Sequence, residues 1–187
     1  MQLKHATTTD INMAELLNAA KNGVVSVGDR ILIGDCEWKA LEVTDKTMMI
    51  WKCKGPAAAL PINKFGSNVY EGSDMQKYLR EEFPQTVPEE LREVVTEEGF
   101  FLLSLEEVKK YMPRPADRVF TNEDGEPDWW WTRSATRGFA SCTWSVSTGG
   151  SVCYHGAYRR FSLRPGLHNP INLIISAHTC AGEGGKP

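Results

Sequence analysis

The chain reads as an α+β domain of small antiparallel sheets with two or more helices, and three patterns predict it. β-branched and aromatic runs separated by Gly-Asp turns open it, capped amphipathic segments fill the middle, and Gly-punctuated strands follow from Trp129. Its 187 residues suit one domain with a continuous core.

Residues 10–22 (DINMAELLNAAKN) place Ile11, Leu16, Leu17 and Ala20 at helical spacing behind Asp10 as cap, and Gly23 stops the helix. Residues 24–27, 30–34, 38–43 and 47–52 then form a small meander turning at Gly28-Asp29, Gly34-Asp35 and Asp45-Lys46. Residues 56–66 have no period and read as loop. Ser73 caps a helix over 74–83 with Met75, Tyr78, Leu79 and Phe83 on one face, and Pro84 ends it. Pro88 suits the first turn of EELREVV, whose early acids complement the helix dipole. Residues 100–103 are a short apolar strand, and Ser104 with Glu107 is a capping box opening LEEVKKYM, which Pro113 and Pro115 stop. RVFTNEDGEPD is a polar loop turning at Asp124-Gly125. WWWTRS, SCTWSVS, GGSVCYH and FSLRP are short strands, residues 172–176 a last buried one, and AGEGGKP a frayed tail. The expected division is a helical segment over 1–23, the main domain over 24–180 and a tail over 181–187.

Charge divides the chain unevenly. Residues 1–128 carry 15 basic and 23 acidic side chains, a net of −8, whereas 129–180 hold Arg133, Arg137, Arg159, Arg160 and Arg164 with no Asp, Glu or Lys. That balance opposes a nucleic-acid partner, which wants a basic footprint over the whole domain. No apolar run reaches about eighteen residues, and MQLKHATTTD lacks the layout of a secretory signal, so a soluble chain without membrane insertion is expected. Cys36, Cys53, Cys142, Cys153 and Cys180 form no CxxC pair, so neither a disulfide framework nor a zinc site is expected, and the thiols read as reduced. No metal or other cofactor is expected; His5, His168 and His178 lie outside any ligand spacing.

Trp38 in EWKALEV, the segments SDMQKYLREEF and FFLLSLEEVKKY, and the ending WWWTRS, STGGSV and LRPGL together resemble a widespread prokaryotic and phage domain. That domain has the C-type lectin fold in the version shared with formylglycine-generating enzyme, and many members are variable proteins of diversity-generating retroelements. The resemblance covers roughly residues 24–175. It implies a non-enzymatic display protein with a loop-rich C-terminal ligand-binding face, virion-associated or surface-displayed, meeting a protein or glycan on a target and associating with a larger particle. It also implies a variable region over about 131–165. There Trp131, Arg133, Ser134, Val146, Gly150, Val152, Leu163, Arg164 and Pro165 fall on the constant scaffold. Arg137, Phe139, Ser141, Cys142, Ser147, Cys153, Tyr154, His155, Tyr158, Arg159, Arg160 and Phe161 fall on variable, solvent-facing positions. Thr132 stands where a Leu is usual, and a strand accommodates either. In such retroelements, adenine mutagenesis turns AAC-type codons into any codon ending in C. Those codons never encode Trp, Met, Lys, Glu or Gln, and between Ala135 and Ser162 only Trp144 breaks that rule.

The residue chemistry supports and extends these implications. Tyr154, His155, Tyr158, Arg159, Arg160 and Phe161 mix rigid aromatic faces with guanidinium donors, the mixture of a ligand-contacting patch. Displaying neighbours 158–161 together requires irregular backbone, because strand neighbours face oppositely. Arg133 and Arg164, between apolar residues, read as structural and paired to acids of the first 128 residues. Trp129, Trp130 and Trp131 offer a sugar-stacking platform, as in a calcium-independent carbohydrate module, but alternation turns at least one inward, and Trp131 is the choice. Glu126-Pro127-Asp128 is similar to a calcium-lectin tripeptide, but no second carboxylate cluster follows it. Cys142 and Cys153 keep open an oxidoreductase of the formylglycine-generating kind.

Overall fold

A computed structural model describes residues 13–54 and 58–171 of the protein. The expected Asp10 cap, the strand over 172–176, Cys180 and the tail lie outside these residues.

The elements follow in chain order as α1 (Met13–Lys21), β1 (Arg30–Ile33), β2 (Cys36–Val43), β3 (Thr47–Lys54), β4 (Ala59–Leu60), α2 (Asp74–Glu81), α3 (Glu89–Arg92), β5 (Phe101–Leu102), α4 (Leu105–Tyr111), β6 (Phe120–Thr121), β7 (Pro127–Asp128), β8 (Trp130–Ala135), β9 (Cys142–Val146), β10 (Val152–Gly156), β11 (Phe161–Ser162) and β12 (Pro165–Pro170). One sheet runs β1-β2-β3-β12-β5, with β6 against β3 and β7 against β6; the other runs β10-β9-β8-β11-β4. The pairing is antiparallel except at β3 with β6 and β8 with β11. The architecture is therefore α+β, with few helices and small, mostly antiparallel sheets. Among the described residues no helix is long and apolar enough to cross a membrane.

Local signals account for the helices. Gly23, at φ 69°, ends α1 in a Schellman motif: its N–H donates to Ala20 O at 3.1 Å and Val24 N–H donates to Ala19 O at 2.8 Å. That motif and the following turn take up residues 24–27, which form no strand. Ser73 Oγ accepts from Gln76 N at the start of α2, and the helix buries Met75 and Leu79. Ser104 and Glu107 close the capping box of α4. The Arg118 guanidinium, buried, donates to Met112 O and Pro113 O beyond the other end of α4.

Two hydrophobic clusters share strands β2, β3, β5 and β8. Met48 and Ile50 of β3 belong to one cluster with Leu16, Leu17, Trp38 and Trp131, while Met49 and Trp51 belong to the other with Leu103, Phe120 and Trp130. Because side chains alternate along a strand, β3 and β8 are each covered on both faces. Trp130 and Trp131 are both fully buried, so neither offers a sugar platform. The 3₁₀ turn and loops near β6 accept Trp130 Nε1–H at Arg118 O, 3.0 Å, and β4 accepts Trp131 Nε1–H at Leu60 O, 2.9 Å. α1 is built into the first cluster through Leu16, Leu17 and Ala20 and does not stand apart from the main domain.

Further expectations need correction. Residues 56–66 include β4, which pairs with β11. FSLRP is not one strand: Phe161–Ser162 belongs to the second sheet, Leu163 and Arg164 cross over, and Pro165 begins β12 of the first. Arg164 is completely buried but pairs with no acid among the described residues; its guanidinium lies over the Phe120 ring and makes no hydrogen bond to a described residue. Burial pushes its pKa down, with the Asp128 carboxylate opposing. Arg133 does pair as expected, its Nη2 donating to Glu107 at 2.7 Å and its Nη1 to Leu102 O at 2.6 Å.

Gly150 turns the hairpin between β9 and β10 at φ 78°, and a Cβ there would lie 1.9 Å from Pro115 O. Backbone strain and a clash with main chain combine, so Gly150→Ala is expected to destabilise the fold by roughly 2–4 kcal/mol. Urea unfolding, read by tryptophan fluorescence, checks this; an unchanged midpoint would refute the close packing of the hairpin on the 113–118 turn.

Candidate functional site

The β9-β10 hairpin pairs Trp144 with Tyr154, Thr143 with His155 and Cys142 with Gly156. Alternation therefore puts Cys142, Trp144 and Tyr154 on one face and Thr143, Ser145, Cys153 and His155 on the other. The first face is aromatic: Tyr154 stacks with Phe139 (centroids 5.7 Å apart, 14° between planes) and meets Trp144 edge-on at 5.7 Å. On the second face His155 contacts Trp129 and Phe161 edge-on, at 4.9 and 5.2 Å, and its Nδ1 lies 3.0 Å from Ser145 Oγ.

The expected solvent-facing positions divide. Arg137, Phe139, Ser141, Tyr154, Tyr158, Arg159 and Arg160 are exposed. Tyr158, Arg159 and Arg160 are displayed together because residues 157–160 form a turn and irregular backbone, not strand. Phe161 instead is half-buried between Trp129 and Trp131, at 5.4 and 4.6 Å, and works as scaffold. Ser147 closes the hairpin, its Oγ accepting from Ser151 N at 3.0 Å. Cys142, Cys153 and His155 are half-buried. Cys142 and Cys153 are three rungs apart, about 10 Å along the strands, and on opposite faces, so the fold does not assemble them as a pair.

Asp128 is turned away from its tripeptide. One oxygen accepts from Trp129 N at 2.7 Å and the other from the Ser162 hydroxyl, while Glu126 is exposed. Among the described residues no three His, Cys, Asp or Glu side chains gather closely enough to hold a metal ion.

The loop carrying Arg137, Phe139 and Ser141 is held by its own main chain. Buried Asn68 shares its Nδ2 protons among Thr136 O, Phe139 O and Cys142 O, at 3.3, 3.0 and 3.0 Å. Asn68 N donates to Ala140 O at 2.9 Å, and Ala157 N to Ser141 O at 2.8 Å. Thr136 Oγ1 donates to Phe139 O and Cys142 O. Sequence reasoning missed Asn68, because its partners lie 68 to 74 positions away and an isolated Asn in a Gly-Ser-Asn loop carries no signal for them.

Thr132 is fully buried at an irregularity in the β8-β9 register, and its hydroxyl donates to Trp144 O at 2.8 Å. The side chain there is thus not interchangeable with Leu, which has no donor for that carbonyl. Ser134 Oγ accepts from Leu105 N at 2.9 Å, so the Arg133-Ser134 pair bolts β8 to the first turn of α4.

Comparisons of the chain with protein families, with curated proteins and with solved structures find no match.

Two measurements check this geometry. Asn68→Ala removes donors from three carbonyls and is expected to cost roughly 2–3 kcal/mol, with faster hydrogen exchange in residues 136–142; unaltered exchange there would remove Asn68 as the pin. Burial, and then the field of Arg159, hold the His155 imidazole below its ordinary pKa. Its NMR titration is expected to fall below about 6.5 and to move upward in Arg159→Ser. Because the folded state binds this proton less readily than the unfolded chain, the His155 contribution to stability rises with pH through the window just below the ordinary value. No movement in Arg159→Ser would exclude that arginine as a cause.

Proposed function

We propose that the protein is a ligand-binding display protein of C-type lectin fold, in the formylglycine-generating-enzyme-like version, whose C-terminal face is diversified by retroelement-directed adenine mutagenesis. One observation carries this reading. The hydrogen bonds that position the face join backbone carbonyls to main-chain amides and to buried Asn68, and use none of the exposed side chains at 137, 139, 141, 158, 159 and 160, which supports their freedom to change. A codon-compatible composition between Ala135 and Ser162 agrees with it. Partners are proteins or glycans on a target surface, approached by a virus or microbe that displays the chain. The separation of Cys142 from Cys153 gives no support to paired-thiol oxidase chemistry.

The genomic locus tests the diversification directly. A nearby reverse transcriptase gene and a near-identical template differing at adenines are expected; a locus with neither overturns the retroelement origin. Tolerance is tested in the protein itself. Replacing Arg137, Phe139, Tyr158, Arg159 and Arg160 by Ser together is expected to shift Tm by less than about 5 °C, whereas Trp131→Ala alone should cost about 3–5 kcal/mol. Collapse of the fivefold variant would refute a scaffold indifferent to its surface residues.

A further inference from the structure

The exposed face does not end at the C-terminal segment. Residues 63–69 form a loop against it: Asn63 N donates to Ala157 O at 3.2 Å, Asn68 N to Ala140 O at 2.9 Å, and a Cβ on Gly66 would lie 3.8 Å from the Tyr158 ring. This loop is built. Asn63 Nδ2 donates to Ser67 O and Val69 O at 2.8 and 2.9 Å, and Lys64 N donates to the Asp74 carboxylate at 2.8 Å.

What the loop holds out is apolar. Phe65 is 101% exposed and Val69 57%, beside Phe139 at 56%, Tyr154 at 50% and Tyr158 at 61%. Among the described residues, these are five of the seven large apolar side chains that are at least half exposed, and ordinary surfaces scatter such residues singly. Asn63 fixes a loop that keeps a Phe ring in water, and a covering partner would recover that burial.

We infer that loop 63–69 and the C-terminal face form one protein-docking site, with Phe65 as a constant anchor and an acidic protein surface bearing an apolar pocket as its occupant. The inference rests on the binding reading above. Phe65 lies outside the codon-compatible segment and so is common to every version of the face. Charge selects the partner: Lys64, Arg137, Arg159 and Arg160 are exposed around the aromatics, and neither 58–70 nor 129–171 contains an Asp or Glu. These four cations outnumber the one carboxylate bonded to the loop, Asp74 at Lys64 N, and complement carboxylates on a partner. Sugar hydroxyls instead call for carboxamides and carboxylates, and Asn63 and Asn68 are already committed to backbone carbonyls.

A random-peptide library displayed on phage and panned on the full chain tests this. Peptides rich in Asp and Glu beside an aromatic or Leu are expected, bound less tightly as salt rises and weakened about tenfold or more by Phe65→Ser, with the melting temperature unchanged. Peptides that keep their affinity for Phe65→Ser within about twofold but lose it on Tyr154→Ser remove the anchor and leave the binding reading intact. The absence of both an enriched peptide and a bound glycan, or peptides indifferent to both substitutions, overturns both. Saturable binding on a glycan array with no enriched peptide replaces the protein occupant by a carbohydrate.

Discussion

The structure depends on two adjacent tryptophans that must both be buried. Trp130 and Trp131 are neighbours on β8, so they point to opposite faces, and each is fully buried. A strand of that kind needs a core on each side. One is supplied by α1, α2 and the inner face of the first sheet; the other is supplied by Trp51, Phe120 and α4, with Trp51 and Trp130 rings 5.4 Å apart. Both indole N–H groups find carbonyls, which avoids leaving either donor unsatisfied in the interior and ties a 3₁₀ turn and β4 to the strand.

From that strand the constraints pass outward in opposite electrostatic styles. Arg133 is partly buried and held at both terminal nitrogens: Glu107 and Leu102 O accept from its guanidinium, and the Phe101 ring lies 5.0 Å from it. Since Glu107 also caps Ser104 N, one carboxylate serves both the helix terminus and the strand. Arg164 has the reverse environment, buried against the Phe120 ring with Asp128 acting at a distance. It stands where the chain crosses from the second sheet to the first, between Ser162 and Pro165. A buried ion costs stability unless attraction offsets it, and among the described residues the aromatic face and the carboxylate are what this site provides.

The parts legible from sequence are those whose causes are local. The capping box at Ser104, the Gly23 stop, the Ser73 cap and the three meander strands β1 to β3 all follow from residues within a few positions of one another. The inward Trp131 followed from period-two alternation, but its neighbour Trp130 did not, since burial on both faces depends on what a distant segment brings to the second side. β4, β12 and the pin at Asn68 were illegible for the same reason. Two or six residues such as Ala59–Leu60 or PGLHNP show no pattern until a partner strand supplies one. Phe161 misled because composition marks it as a binding residue, whereas Trp129, Trp131 and His155 enclose it. Thr132 misled in the opposite direction, its hydroxyl mattering only because the β8-β9 register slips there.

A surface that is to vary must obtain its shape from groups that do not. Main-chain carbonyls meet this requirement, because they are present whatever residue is attached. Asn68 and the amides of Asn68 and Ala157 bind carbonyls of residues 136–142, so these bonds shape the loop without using the side chains at Arg137, Phe139 and Ser141. The requirement then shifts to the few positions that address those carbonyls or pack beneath them. Asn68 must be a donor of that length, Gly150 must lack a Cβ against Pro115 O, and Thr136 must keep its hydroxyl. Under the proposed function, freedom on the outer face and rigidity of its underlying frame are one physical arrangement, and the exposed aromatics and arginines are what it presents.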